Sequence, residues 1–139
     1  MFAGAVGTIA VVAVVAGITV IDSPAETREQ KLDAQRVADL RRIAFAVDAQ
    51  LRKTGTLPAN LNALKTADQV NSFQLADPVT AEPYDYKTTG PRSYQLCATF
   101  SRPTPMNDGD RDPNRTPEFW NHSAGRHCFS VEVAMTKSP

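Results

Sequence analysis

Residues 77–100, with the sequence DPVTAEPYDYKTTGPRSYQLCATF, decide the fold class of this chain. Polar and apolar side chains alternate around Tyr86, and they alternate again from Tyr94 to Phe100. Alternation with a period of two is typical of a strand that has one buried face, and residues 88–91 between the two runs include Gly and Pro, which favour a turn. The stretch therefore predicts an antiparallel β-hairpin.

A third strand is predicted near the carboxyl end of the chain, where Phe129, Val131 and Val133 alternate with polar residues. Residues 102–117, which precede it, are rich in Pro, Asp and Asn and contain few apolar side chains. We expect them to form an exposed loop. The predicted sheet thus has three antiparallel strands and one apolar face.

One long amphipathic helix is predicted to cover that face. Ser23, Pro24 and Glu26 form a capping box with Pro at the first helical position, and Gly55 suits the end of the helix. Between these ends, apolar residues recur in steps of three and four while charged residues point in other directions. The apolar stripe consists of Val37, Leu40, Ala44, Val47 and Leu51, and the charged residues are Arg36, Asp39, Arg41, Arg42 and Asp48. We expect burial of Leu40, Val47 and Leu51 against Tyr94, Leu96, Phe100, Phe129 and Val131.

The first segment of the chain is predicted to be a membrane anchor. Residues 2–21 carry no charged side chain, and about 20 residues of α-helix reach about 30 Å, the thickness of the hydrocarbon core of a bilayer. No Lys or Arg precedes this run, whereas a cleaved signal peptide has a basic amino-terminal region, so we expect an uncleaved span. Its small residues, among them Gly7, Ala13 and Gly17, either let a neighbouring helix approach closely or reflect the usual composition of membrane helices.

The two cysteines, Cys97 and Cys128, are expected to share one face of the sheet. Each is flanked by residues of the apolar face, so the period of two turns both cysteines to the opposite face. On neighbouring antiparallel strands they would form a disulfide, and a disulfide indicates an oxidising compartment. The competing interpretation is a metal site made of both cysteines with His122 and His127. Because the adjacent His127 and Cys128 point to opposite sides of a strand, we favour the disulfide.

The charge balance and the sequence motifs argue against several function classes. Lys and Arg number 15, and Asp and Glu also number 15, so no excess of positive charge is available to bind nucleic acid. The chain contains no motif of a serine hydrolase, a phosphate-binding loop, a zinc protease or a haem attachment site. His122 has no nucleophile or carboxylate beside it in the sequence, and we interpret it as a loop histidine rather than a general base. Phe119 and Trp120 either anchor a partner or cover one end of the core.

Several short motifs together resemble a known architecture. They are the Gly-x-Leu-Pro run at residues 55–58, the DPVTAEPYDY segment from Asp77, and the predicted helix followed by a small sheet. In this combination the chain resembles type IV pilins and, more closely, the major pseudopilins of type II secretion. The segments SPAETREQKLDAQRVADLRRI, SYQLCATF and GRHCF also resemble the carboxy-terminal part of uncharacterised bacterial membrane proteins. The resemblance implies a pilin-like α+β fold.

The pseudopilin resemblance bears on two groups of residues. Such proteins carry a Glu at the fifth mature position for filament assembly, whereas residues 5–7 are Ala, Val and Gly and no acid precedes Asp22, so we do not expect ordinary homopolymeric filaments. Major pseudopilins also bind calcium in a late loop, and a similar alternation of acids occurs at Asp108, Asp110, Asp112 and Asn114. Pro113 replaces the usual turn glycine, so we expect a solvated acidic loop that binds no metal tightly.

The sequence as a whole predicts an α+β chain in two parts, a transmembrane anchor at residues 1–22 and an extracytoplasmic pilin-like domain at residues 23–139. We expect a single-pass protein of a bacterial inner membrane, with its amino terminus in the cytoplasm and its domain in the periplasm. The predicted function is that of a non-enzymatic structural or interaction subunit of a larger membrane assembly. Its expected partners are other membrane protein subunits, the lipid bilayer and, in a homo-oligomer, further copies of the chain, with no nucleic acid and no cofactor. The alternatives are a pseudopilin-type filament or secretion component and a membrane-tethered ligand-binding domain.

Overall fold

The computed structural model describes residues 23–66, 74–106 and 119–134. These residues contain one long α-helix, a short 3-10 helix and three β-strands. The α-helix, α1, spans Pro24–Thr54, and the 3-10 helix spans Leu61–Thr66. The strands are β1 (Asp85–Thr88), β2 (Ser93–Phe100) and β3 (Gly125–Glu132), and they form an antiparallel sheet in the order β1-β2-β3. The predicted α+β class, with a long helix packed on a small antiparallel sheet, is confirmed.

The ends of α1 are fixed by the residues that the sequence predicts. The Ser23 hydroxyl accepts a hydrogen bond from the amide of Glu26, and the Glu26 carboxylate accepts one from the amide of Ser23, each at 3.3 Å. At the other end, Gly55 has a φ of 77°, and its N–H donates to the Leu51 carbonyl at 2.7 Å. Because side chains with a Cβ disfavour this left-handed conformation, the helix ends at the predicted glycine.

The central strand of the sheet is β2, which pairs with both of its neighbours. Cys97 on β2 lies directly opposite Cys128 on β3. The predicted hairpin and third strand are confirmed, although β3 begins at Gly125, earlier than the predicted Phe129. Gly125 has a φ of 86°, which lets the chain turn sharply into the strand.

The core lies between α1 and one face of the sheet. On the helix, Leu40, Ile43 and Val47 are fully buried, and Leu51 is nearly so. Opposite them, the buried sheet residues are Tyr94, Leu96, Ala98, Phe100 and Phe129, with Val131 partly buried beside them. The predicted packing of the helix stripe on the sheet is therefore confirmed. Burial of one such aliphatic side chain stabilises the fold by about 1.5–3 kcal/mol.

Two charged residues of α1 are buried, although the helical pattern predicts that they point to solvent. Arg36 and Asp39 are only 6% and 2% exposed, and Asp33 is buried beside them. The expectation that Arg36 and Asp39 lie outside the buried surface is wrong, because steps of three residues give α1 a second buried stripe. This stripe is polar, and it faces the loop that precedes β1 and the chain that follows β2.

Two of the buried charges, Arg36 and Asp33, are paired with each other. The Arg36 guanidinium donates to Asp77 through Nε and to Asp33 through Nη1, the latter at 2.7 Å. Asp33 also accepts the backbone amides of Ser101 and Arg102 at 3.0 and 2.8 Å. A buried charge is tolerated when its hydrogen bonds are satisfied, and this network ties α1 to two distant segments of chain.

The DPVTAEPY run forms a tight loop that docks on this network. The Asp77 carboxylate accepts the amides of Val79 and Thr80 within its own loop as well as the Arg36 guanidinium. The Tyr84 hydroxyl donates to Asp39 at 3.2 Å, and burial raises the pKa of the Asp39 carboxyl. The Asp and the Tyr of the run thus hold the loop against α1.

Among the described residues, none of the helices is both long enough and apolar enough to cross a membrane. The predicted anchor at residues 1–22, with Gly7, Ala13 and Gly17, lies outside the described residues.

Candidate functional site

The candidate site is a groove that runs beside the first half of α1, which we call the α1 groove. Its volume is about 590 Å³, within the range of roughly 300–1,000 Å³ that is usual for ligand pockets. Three segments form it: α1 from Thr27 to Arg41, the chain from Arg102 to Pro105 after β2, and residues 120–122 before β3.

The α1 wall of the groove is one face of the helix. Its residues follow one another in steps of three and four, and its middle consists of Ala34, Val37 and Ala38. Because the side chains of the two alanines are short, they leave open space above the helix. The surface of the helix is apolar there. From Thr27 to Arg41 the wall is about 21 Å long, at about 1.5 Å per residue.

The opposite wall is held in place by specific bonds. Arg102 donates to Glu26 and to Glu29, each at 2.8 Å. The Thr104 N–H donates to the His122 carbonyl at 2.9 Å, and the Thr104 hydroxyl accepts the His122 N–H at 2.8 Å. Residues 102–106 of the predicted exposed loop are therefore attached to α1 and to the segment before β3, although most of them remain at the surface.

Two aromatic side chains, Trp120 and His122, line the groove, and the Phe119 ring lies against Trp120. The Trp120 ring centroid is 4.9 Å from that of Phe129, and Trp120 packs against the core while it is half-buried. Phe119 contacts Trp120 edge to face at 5.1 Å and is 54% exposed. Trp120 therefore covers one end of the core, which is one of the two roles considered for this pair. Phe119 presents an exposed ring.

His122 lies on the floor of the groove in an apolar contact. Its ring stacks on Phe100 at a centroid distance of 3.6 Å, and its Nδ1 is 3.4 Å from the Ser123 carbonyl oxygen. Burial lowers the pKa of His122 below the usual value for histidine. The imidazole is therefore held mainly in its neutral form at pH 7, as an aromatic part of the floor.

The charges along the groove are unequally compensated. The Asp33 carboxylate is bound by Arg36, and the Arg102 guanidinium is bound by two glutamates. Lys31 and Arg41 have no ion-pair partner among the described residues, and both are exposed. The Arg41 guanidinium carbon lies 5.9 Å from the Trp120 ring, within reach of a cation–π contact. The groove thus has an apolar centre and two uncompensated positive charges.

The two cysteines form the predicted disulfide. Cys97 and Cys128 are joined across β2 and β3, with their Cα atoms 4.1 Å apart. Because both thiols are consumed in this bond, the competing metal site with His122 and His127 is wrong. His127 instead faces Phe129, at a ring distance of 4.7 Å, on the opposite side of the sheet from the disulfide.

Asp108, Asp110, Asp112 and Asn114, which we expect to form a solvated acidic loop rather than a calcium site, lie outside the described residues. Within residues 23–66, 74–106 and 119–134, no group of three or more His, Cys, Asp or Glu side chains is placed to hold a metal ion.

The α1 groove itself was not predicted. The available signal is the pair Ala34 and Ala38, two small residues that lie beside Val37 of the stripe that packs on the sheet. The walls come from segments far apart in the chain, so the helical pattern alone identifies one wall and not the cavity.

Comparisons of the chain with models of protein families, with curated proteins and with solved structures find no match. The resemblance to pseudopilins therefore remains a hypothesis.

Proposed function

We propose that this chain is a non-enzymatic interaction subunit that residues 1–22 hold at a membrane and that recruits or joins other proteins. The observation that carries the proposal is the α1 groove, an open apolar groove lined in part by Trp120, whose ring contacts the exposed Phe119 ring. Large exposed aromatic and apolar side chains beside a concave surface are typical of protein interaction sites.

The groove contains contact groups of the type that dominate binding energies at interfaces. Trp and Arg are enriched among interface residues whose truncation costs the most affinity, and here Arg41 lies over Trp120. Met106 follows the segment that forms one wall and is 83% exposed. Trp120 and the apolar residues of the α1 wall give the groove an apolar surface that a partner would remove from water.

The position of α1 supports a role close to the membrane. α1 begins at Pro24, directly after the predicted anchor, so only a few residues separate that span from Thr27, where the groove begins. The disulfide is compatible with an oxidising compartment, in agreement with a domain in the periplasm of a bacterial cell. In this arrangement Gly7, Ala13 and Gly17 would pack the span against other membrane subunits.

A second candidate is a pseudopilin-type filament or secretion component. A long helix that packs on a small antiparallel sheet is the architecture expected for a pilin-like domain, and this observation supports the second candidate. The two proposals differ in stoichiometry. A filament contains many copies of the chain, whereas a fixed subunit occurs in a small, constant number beside other proteins.

Site-specific photo-crosslinking in the native membrane tests the proposed function. A photoreactive amino acid at Ala38, inside the α1 groove, should capture a partner protein that also co-purifies with the unmodified chain. The same group at Lys87, an exposed residue of β1 outside the groove, is the matched control. Capture of a co-purifying partner from Ala38 alone supports the proposal. Equal capture from both positions, or none from Ala38, contradicts it.

A further inference from the structure

We propose that the α1 groove binds an extended segment of a partner polypeptide in which apolar side chains lie between two carboxylates. The inference rests on the proposed function as an interaction subunit, and it adds the chemistry and the conformation of the partner. Two properties of the groove carry it: its charge and its length.

The charge of the groove selects a segment with acidic residues. Asp33 and Arg102 line the groove but are already bound to other side chains within the domain. Lys31 and Arg41 are the lining cations without an ion-pair partner in the part of the chain that the structure describes. His122 adds no charge at neutral pH, because burial lowers its pKa. Two carboxylates on the partner would complement the two free cations.

The positions of these cations fix the spacing of the carboxylates. Lys31 and Arg41 lie ten positions apart on α1, which corresponds to about 15 Å along the helix axis. An extended chain rises about 3.3 Å per residue and turns every second side chain to the same side, so two acidic residues four positions apart would lie about 13 Å apart on one side of the segment. The long side chains of Lys31 and Arg41 can reach both carboxylates. Between the cations, the α1 wall offers the apolar surface of Ala34, Val37 and Ala38 to the intervening side chains.

The length of the groove favours an extended segment over a helix. Five extended residues span about 13 Å, close to the distance between the two cations, whereas a helix needs about ten residues to cover the same distance. A single extended strand is narrower, and it can place alternate side chains on the groove floor.

A synthetic peptide of defined sequence tests the inference. The probe has two Glu residues four positions apart, with Leu, Phe and Val between them, and a fluorophore at one end. The control peptide has Lys in place of both Glu residues and the same apolar centre. Binding is followed by fluorescence anisotropy with the purified full-length chain, and a blank that contains the same detergent or lipid without protein corrects for adsorption.

Charge reversal in the groove makes the test specific. Lys31→Glu and Arg41→Glu should each weaken binding of the Glu peptide about fivefold, and the double variant should prefer the Lys peptide. Lys87→Glu makes the same change of charge on an exposed residue outside the groove and should leave both affinities unchanged. Arg41→Gln, which removes the cation without reversing it, should show a smaller loss. The melting temperature of each variant verifies that the domain is folded.

Three results would overturn the inference. One is equal affinity of the wild type for the Glu and Lys peptides, and another is no measurable binding of either. The third is capture of a second copy of the chain by the photoreactive group at Ala38, which would make the groove a self-association surface. If a different protein is still captured from Ala38 when both peptides fail, the proposed function stands and only the partner chemistry assigned here is wrong.

Discussion

Arg36 is a charged residue at the centre of the domain, and it connects α1 to the loop before β1. Its guanidinium binds Asp77 and Asp33, and all three side chains are nearly excluded from water. The Arg36 hydrogen bond and those from two loop amides outweigh the effect of burial, so the pKa of the Asp77 carboxyl lies below its usual value. The Asp77 carboxylate is therefore stabilised in its charged form by the arginine.

Replacement of Arg36 by Met should destabilise the fold by about 3–5 kcal/mol, because it leaves two buried carboxylates without their cation. Arg42→Met is the matched control, since the Arg42 side chain is 60% exposed and its nearest contact with Asp39 is 3.9 Å. The control should lose less than about 1 kcal/mol. Urea unfolding of both variants measures the difference. A loss below 1 kcal/mol for Arg36→Met would show that the network contributes little.

The lowered pKa of His122 predicts how the stability of the domain depends on pH. Burial lowers the pKa of His122 in the folded state, so the unfolded chain binds the proton more readily. The stabilising contribution of neutral His122 is complete above the unfolded pKa of about 6.5 and declines as the pH falls through that value. His122→Phe keeps a ring on Phe100 but cannot be protonated. The melting temperature of the wild type should fall more steeply from pH 7.5 to pH 5.5 than that of the variant. Parallel profiles would contradict this role of His122.

At the scale of single residues, the sequence predicted some roles and missed others for identifiable reasons. The cysteine pair was predictable because strand alternation places Cys97 and Cys128 on one face. The burial of Arg36 was not predictable, because its partner Asp77 lies 41 positions away in a loop that has no periodic pattern. A charged residue on a helix is interpreted as exposed unless its distant partner is known.

Among the elements, α1 was the best predicted. Its capping box and its terminal glycine are local signals, and the structure places both helix ends where these signals occur. The chain after β2 was predicted less well, since composition indicated only an exposed loop. Its attachment to α1 through Arg102 depends on Glu26 and Glu29, which local composition does not connect with that segment.

The apolar stripe of α1 should dominate the packing of this helix on the sheet. Leu40→Ala and Leu51→Ala should each destabilise the domain by about 2–5 kcal/mol, because the rigid sheet cannot collapse into the cavity. Phe45→Ala on the outer side of the same helix is the control, since Phe45 is 71% exposed. It should change stability by less than about 0.5 kcal/mol. Similar losses for Leu40 and Phe45, measured by thermal unfolding, would mean that another face of α1 packs on the sheet.

At the scale of the whole molecule, the disulfide compensates for a small core. It joins residues 31 positions apart, and a loop of this length corresponds to about 3–4 kcal/mol in the loop-entropy account of disulfide stabilisation. Replacement of both cysteines by Ala should therefore lower the melting temperature by several degrees or more. The oxidised wild type and the double variant are compared under identical conditions. Equal melting temperatures would show that the disulfide does not stabilise the folded domain.

The fold class of the molecule was predictable and the α1 groove was not. Periodicity identifies a long helix and three strands, and a helix with one apolar stripe has few ways to cover a small sheet. The groove is formed where α1, the chain after β2 and the segment before β3 meet. Its shape depends on the tertiary contacts of Arg102 and Thr104, which no single segment encodes.

We propose that this chain works as a subunit of a membrane assembly. The state of the chain in its own membrane tests this proposal most directly. The chain is extracted gently from that membrane, and the mass of the particles that contain it is measured together with the proteins they include. A subunit of this kind should be found in particles of defined mass, in which the chain occurs in a small, fixed number beside other membrane proteins. Single chains without partners, obtained under conditions that preserve known complexes of the same membrane, would contradict it.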